Sequence, residues 1–378
     1  MAPNKKTKSY SNFFNNPMDF TMLIVVLILL SLGLTMVLSA STPKSLSEYG
    51  TSYQYFVKQL IFALLGIIAM LIISKIDYRF YRKFYKIAWI VSVILLALVL
   101  VIGKEVNEAK RWIGITETLS FQPSEVVKFL MIIFYAGILT KNRDELGNFW
   151  LGLVKHVTFL APIIVLLLLE PHFSVSIVIL GTCCMMMIMA GCKFWQFLAC
   201  GLTVGVPALV ALVIMAPYRL VRVTTFLDPW SDELGKGWQV VQSLYAIGSG
   251  GLFGLGLGES NQKYLYLPEP HNDFIFSVLA EELGFLGCIV VIVLFALLIW
   301  RGILTAMKAP DMFGSLIAVG ITSLIAIQVI INIAVVTSSM PATGMPLPFF
   351  SYGGTSLFIL LCQVGVLLNI TRATNSSS

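Results

Sequence analysis

The sequence predicts an all-α, polytopic integral membrane protein of about ten transmembrane helices. Both termini are expected in the cytoplasm, with one large extracytoplasmic loop between spans seven and eight. Three observations predict this. Of 378 residues, 58% are hydrophobic and only 12% charged, with a mean hydropathy of +0.89; soluble domains average about 25% charged residues and cannot build a surface from half of that. Apolar runs of the roughly 17–25 residues needed to cross a bilayer recur along the chain. Basic residues gather in short segments between alternate runs, as cytoplasmic loops do.

The first run, about Phe20 to Leu38 behind Lys5, Lys6 and Lys8, exceeds the roughly 7–15 apolar residues of a signal peptide and reads as a span. Further spans fall near 55–74, 86–103, 124–140, 149–169, 173–191, 195–216, 274–300, 313–337 and 351–370. Lys155 and His156 interrupt the fifth and have to snorkel or face other helices. With ten spans, 15 of the 25 Lys and Arg residues lie on the inner side. The net charge of +6 is therefore topological rather than a nucleic-acid footprint, and no nucleic-acid partner is expected. Six cysteines within or beside apolar runs give neither a disulfide framework nor metal spacing. The chain reads as one integral domain over 1–378, with the outer loop 217–273 part of it. Such a long connection is functional or disordered, and its aromatic and glycine-rich composition argues for order.

Charged groups at membrane depth or in ordered outer loops are functional candidates. Pro123 suits the first turn of a helix, so the fourth span starts there; Gln122, Glu125 and Lys128 then share a face on which Glu125 and Lys128 can pair. A second reading makes Lys128, with Arg111, an anion site. The 217–273 loop supplies Arg219, Arg222 and Lys263. Its glycine-rich stretch Gly248–Gly258 lacks the Lys-Ser/Thr ending of a nucleotide loop and reads as close helix packing or a tight re-entrant turn. Asp273 stands at the entrance of the eighth span, as a helix cap or a general base. Glu281 and Glu282 follow about 12 Å deeper, where they are expected to pair with cations such as Lys128 or to relay protons. Between Met340 and Ser356, three prolines and several glycines cannot continue a helix, so this segment, which includes Ser351, lines a cavity.

These motifs together resemble a known family. Gly237-Trp238-Gln239, the glycine-rich run, Leu267-Pro268-Glu269, Asp273-Phe274-Ile275-Phe276, Ala280-Glu281-Glu282-Leu283-Gly284 and Pro346-Leu347-Pro348-Phe349-Phe350-Ser351-Tyr352-Gly353-Gly354 are similar to those of the SEDS family (shape, elongation, division and sporulation). Arg111-Trp112-Ile113 and Gln122-Pro123-Ser124-Glu125 with Lys128 fit it too, over nearly the whole chain. The Pro-Ala-Thr-Gly-Met-Pro-Leu-Pro-Phe variant looks closer to the FtsW and SpoVE branch than to RodA. The resemblance implies a peptidoglycan glycosyltransferase of the bacterial cytoplasmic membrane, polymerising lipid II at the outer face beside a class B penicillin-binding protein. It also places the family's essential loop aspartate on Asp273. Two departures stand out. His172 occupies the place of a common family Asp, and Glu108 a place that is often Gly.

Lipid II polymerisation needs a base, cations for a pyrophosphate leaving group and lateral lipid entry. Asp273 is the expected base. Arg111, Arg219, Arg222 and Lys128 are the expected cations, with Glu125, Glu281, Lys263 and Ser351 as further substrate contacts. A divalent cation, Mg or Mn, could share the cationic role, although no ligand cluster is evident. The rival readings are a lipid II flippase and a non-catalytic scaffold for the penicillin-binding protein.

Overall fold

The computed structural model describes residues 17–106, 109–114, 120–170, 172–214, 217–264 and 266–374, with the backbone alone for residues 105, 106, 109, 110, 120, 209, 212 and 217–219, among them Lys110 and Arg219. Lys5, Lys6, Lys8 and Glu108 lie outside the described residues. Thirteen α-helices are assigned among them: α1 Phe20–Tyr49, α2 Gln54–Ile73, α3 Tyr85–Ile102, α4 Pro123–Lys141, α5 Lys155–Leu169, α6 Phe173–Ala190, α7 Phe194–Cys200, α8 Val206–Ile214, α9 Pro217–Leu227, α10 Trp238–Ser249, α11 Ile275–Lys308, α12 Met312–Val336 and α13 Gly354–Thr374. Among the described residues nine helices are long and apolar enough to cross a membrane. The expected seventh span, 195–216, is instead delivered in pieces: α7, a π-turn over Gly201–Gly205, and α8.

Two further stretches differ from a plain all-α reading. The segment after α3 is a small antiparallel sheet of β1 Lys104–Val106, β2 Ala109–Gly114 and β3 Ser120–Phe121, in which Lys104 pairs with Trp112 and Ile113 with Phe121. β1 and β3 are too short for an alternating pattern, and the six residues of β2 do not alternate polar with apolar. The 217–273 loop is ordered around α9 and α10, and α10 packs on α11.

Helix α4 starts at Pro123, whose missing N–H costs nothing in the first turn. It sits at the centre of the bundle against α3, α6 and α12. Of its most apolar stretch 78% is buried, against 22% for α2 and for α11, so α4 faces protein while α2 and α11 face lipid. That is why α4 tolerates Glu125 and Lys128: their partners are other helices.

Polar rungs fix α1 against α11 at two levels. Near one end Arg301 binds Asp19 through Nε at 2.7 Å and Nη2 at 2.5 Å. Near the other, Ser39 Oγ donates to Glu282 Oε1 at 2.5 Å, and Lys263 Nζ reaches the same carboxylate at 2.9 Å. Asp311 caps α12 through the Gly314 N–H and accepts from Tyr78 and Arg79, tying α12 to the turn before α3.

Candidate active site

A cavity of about 280 Å³ opens where the start of α4, the start of α11, α12 and the irregular segment before α13 converge. Trp112, Gln122, Glu125, Lys128, His172, Asp273, Gln328, Ser351 and Ser356 are among the residues lining it. Each reaches the cavity for a local reason. The i,i+3 spacing brings Lys128 Nζ to 2.7 Å from Glu125 Oε1, with both side chains buried, and Ser356 Oγ of α13 donates to Glu125 Oε2 at 2.8 Å. His172 precedes α6 and bridges Gln122 and Ser124 with its two ring nitrogens, each at 3.3 Å.

Asp273 is partly buried just before α11. Its loop is pinned through the backbone. Asn332 Nδ2 donates to the Asp273 carbonyl at 2.8 Å and to the Met345 carbonyl at 2.7 Å, while Ser351 Oγ donates to the Asn272 carbonyl and accepts from Leu347 N, both at 2.7 Å. Tyr352 N–H adds a bond to the His271 carbonyl, and the Gln59 amide brackets Ser351 and Gly353 from α2. Pro341, Pro346 and Pro348 interrupt helix formation here, so these side chains satisfy the freed backbone groups. Gly344 passes so close that a Cβ there would lie 3.1 Å from Asp273 Oδ2, and its φ of +67° suits glycine.

The electrostatics separate the titratable groups. Burial raises the Asp273 carboxyl to about 6; the neighbouring Glu269 charge pushes the same way, and Arg222 and Arg111 pull it back. Burial, aided by Arg111 and Lys128, lowers His172 to about 3, so its ring is neutral. Burial raises Glu170 to about 8, partly offset by Arg111, whose Nε donates to the Glu170 carbonyl at 3.4 Å. A carboxyl poised near neutrality in a cleft with specific cations around it is the signature of an acid-base group.

Of the expected site residues, Asp273, Glu125, Lys128 and Ser351 line this one cavity. Arg111 and Arg222 act on Asp273 through their charges. Arg222 also donates to the Ala342 carbonyl at 2.9 Å and, with Lys236, lines an adjoining hollow of about 120 Å³. Arg219 is on α9, its side chain outside the described residues. Glu281 and Lys263, expected as substrate contacts, do not line this cavity. Glu281 accepts from Ser260 Oγ at 2.5 Å and from the N–H groups of Asn261 and Gln262, and Lys263 is spent on Glu282, Ser39 and the Gly258 carbonyl. Glu282 thus pairs with Lys263, not Lys128, because Lys128 is held by Glu125 on another helix. The sequence reading did not single out Ser356 or Lys236. Gln328 and Asn332, amide residues four apart in a mostly apolar helix, were the visible signal for the loop clamp.

Among the described residues no three His, Cys, Asp or Glu side chains converge as metal ligands. The donor set around Asp273, dominated by amides, a serine and backbone carbonyls, does not form a protein cage for Mg or Mn.

The profile of the FtsW/RodA/SpoVE family, described as cell cycle protein, matches residues 20–376. Stage V sporulation protein E of Bacillus subtilis (strain 168) is 45% identical over 356 residues, covering 94% of this chain and 97% of that protein. A probable peptidoglycan glycosyltransferase FtsW from Coxiella burnetii is 42% identical over 95% of this chain and 97% of its own length. Among solved structures, a chain from work titled "Structural coordination of polymerization and crosslinking by a peptidoglycan synthase complex" superposes with a TM-score of 0.79 at 29% identity, covering 94% of this chain and 98% of that one. The rod shape determining protein RodA of Thermus thermophilus gives 0.70 at 27% identity, covering 94% and 97%. A cavity shared by the first turn of α4, the loop before α11 and the proline-rich segment before α13 is thus set in a bundle of known kind: the chain belongs to the FtsW/RodA/SpoVE family.

Proposed function

We propose that the protein is an inverting peptidoglycan glycosyltransferase of the bacterial cytoplasmic membrane that polymerises lipid II in division or sporulation, working beside a class B penicillin-binding protein. The observation that carries this reading is the Asp273 carboxyl, poised near 6 and opening into a cavity within reach of two guanidinium charges. Above that pH Asp273 is a carboxylate. It takes the proton from the acceptor sugar hydroxyl as that oxygen attacks the donor's anomeric carbon. The bond from that carbon to the pyrophosphate oxygen breaks, and the polyprenyl pyrophosphate leaves with the electron pair. Attack from the opposite face inverts the centre to the β-linkage. A positioned base contributes about 10²–10⁴-fold.

Arg111 and Arg222 stabilise the negative charge that develops on the leaving group, because fixed cations need no reorganisation as the bond breaks. Lys128 is paired with Glu125, so its role is to shape and polarise the wall rather than to hold the pyrophosphate alone. The uninterrupted apolar faces of α2 and α11 offer the lipid tails lateral access. In this reading both termini are cytoplasmic and the cavity lies on the outer side, where lipid II polymer is needed.

The test is reconstitution with lipid II and the cognate penicillin-binding protein, with transpeptidation blocked. Glycan chains from the wild type and none from folded Asp273→Asn support the reading. Equal polymerisation by the variant removes Asp273 as base, and lipid II crossing vesicle membranes without polymer would favour a flippase.

A further inference from the structure

The two rungs between α1 and α11 measure a distance. Asp19 and Ser39 on α1 are matched by Arg301 and Glu282 on α11, and each pair is separated by about 30 Å of helix at 1.5 Å per residue. That is the thickness of a bilayer's hydrocarbon core, roughly 30 Å. Between the rungs α11 is apolar from Phe285 to Trp300, and Phe285, Leu286, Ile289 and Val290 are exposed. The Ser39–Glu282 rung therefore marks the hydrocarbon boundary on the cavity's side.

The glycine-rich segment after α10 crosses that boundary. Ser243 of α10 is level with Ser277 of α11, their hydroxyls 2.7 Å apart. The chain then runs inward until Phe285 N–H donates to the Gly251 carbonyl at 2.9 Å and Leu286 N–H to the Leu252 carbonyl at 3.2 Å. It turns and climbs back, with Leu255 and Gly256 N–H donating to the Glu281 and Glu282 carbonyls, both at 3.0 Å. The tip lies about 5 Å inside the Glu282 level. Gly284 permits this by leaving helical geometry at φ 68°, and a Cβ on Gly254 would sit 2.1 Å from the Glu282 carbonyl oxygen. The turn exchanges backbone hydrogen bonds with the break in α11, as a segment entering hydrocarbon must. Leu252 and Phe253 at the tip are 63% and 79% exposed, and their exposed surface continues the lipid-facing strip that starts at Phe285. On the way out, exposed Glu259, Tyr264 and Tyr266 supply the charge and aromatic residues typical of the headgroup level.

We infer that the Gly250–Gly258 hairpin is a re-entrant interfacial anchor whose tip, Leu252 and Phe253, is seated among the acyl chains of the leaflet on the cavity's side. The occupant of this apolar surface is lipid: the surface is continuous with the exposed face of a membrane-spanning helix and lies at that helix's depth. The anchor holds Asp273, about nine residues above the rung, some 13 Å outside the hydrocarbon, at headgroup height; that consequence for catalysis rests on the role proposed for Asp273, whereas the seating itself does not.

The test is spin-label accessibility in the full-length protein reconstituted into phosphatidylethanolamine and phosphatidylglycerol vesicles. Nitroxides are placed at Phe253→Cys and independently at Leu252→Cys, with Asp232→Cys as the water-facing reference and the unsubstituted protein as labelling background. Labels at 252 and 253 should collide with dissolved oxygen more than with a water-soluble nickel chelate, and the label at 232 should show the reverse. A nickel chelate that reaches 252 and 253 as freely as 232 overturns the anchor, and so does screening from both reagents, which would mean burial against protein. Because the measurement reads depth and not turnover, its outcome is separate from whether Asp273 is the catalytic base.

Discussion

Two buried lysine–glutamate pairs lie in this bundle, and they differ in what surrounds them. Lys263 and Glu282 are 2.9 Å apart, and the lysine's other bonds go to Ser39 and the Gly258 carbonyl, which uses its three donors in a closed knot. Lys128 and Glu125 are 2.7 Å apart, yet both face a cavity, and the further partner of Glu125 is a serine. The ingredients are the same. With its three donors used, Lys263 fixes a loop to a helix, although Glu282 Oε2 is buried without a hydrogen-bond partner; Lys128, bordering a void, has hydrogen-bonding capacity to offer a substrate. Charge at membrane depth therefore marks importance, and connectivity decides its kind.

The comparison can be broken at several points. The largest effect is expected at Asp273, where Asp273→Asn should cut lipid II polymerisation by about 10²–10⁴-fold with thermal unfolding unchanged. Next comes a matched pair of substitutions. Lys263→Met leaves Glu282 buried and unpaired and should destabilise the fold by about 3–5 kcal/mol, part of it recovered in the Lys263→Met/Glu282→Gln double variant, with the folded fraction keeping its kcat. Lys128→Met should instead lower kcat/KM of the folded fraction. If Lys263→Met impairs turnover of folded protein more than Lys128→Met does, the assignment of the two pairs is reversed.

A smaller effect is expected at Gly344→Ala, which forces a Cβ into the left-handed region at about 1–2 kcal/mol and crowds the Asp273 carboxylate, so Tm and kcat should fall together. The smallest is a shift in pH dependence. The reaction needs the ionised carboxylate, so kcat/KM should rise with pH through about 6 and level off above it. Arg222 holds the Asp273 carboxyl down, so Arg222→Ala should move that limb to higher pH; Glu269 holds it up, so Glu269→Gln should move it lower. Limbs that stay put in both variants would show that another group controls the profile.

Local signals were legible in the sequence. Pro123 announced the start of α4, and the spacing of Glu125 and Lys128 announced their pairing. The prolines and glycines before α13 announced an irregular cavity wall, and Asp273 stood at a helix entrance. Contacts between distant parts of the chain were not legible. Nothing near Glu281 indicates that residues 260–262 will wrap its carboxylate, and Ser356 is 231 positions from the Glu125 it binds. The expected seventh span, 195–216, is an apolar run in the sequence, but the π-turn at Gly201–Gly205 that separates α7 from α8 leaves no periodic mark. The short sheet bearing Arg111 was hidden because β1 and β3 hold only three and two residues and the six of β2 do not alternate polar with apolar.

One side chain of α12 gathers more of the site than its size suggests. The amide of Asn332 grips the carbonyls of Asp273 and Met345 at once. The Asp273 loop and the segment before α13, already tied to each other through Ser351 and Tyr352, are thereby both fastened to α12. A tilt of α12 carries both together and preserves the gap between them, so a force applied to this helix would move the chamber as a unit before it deformed it. A growing strand would thus meet a chamber of constant bore at each addition.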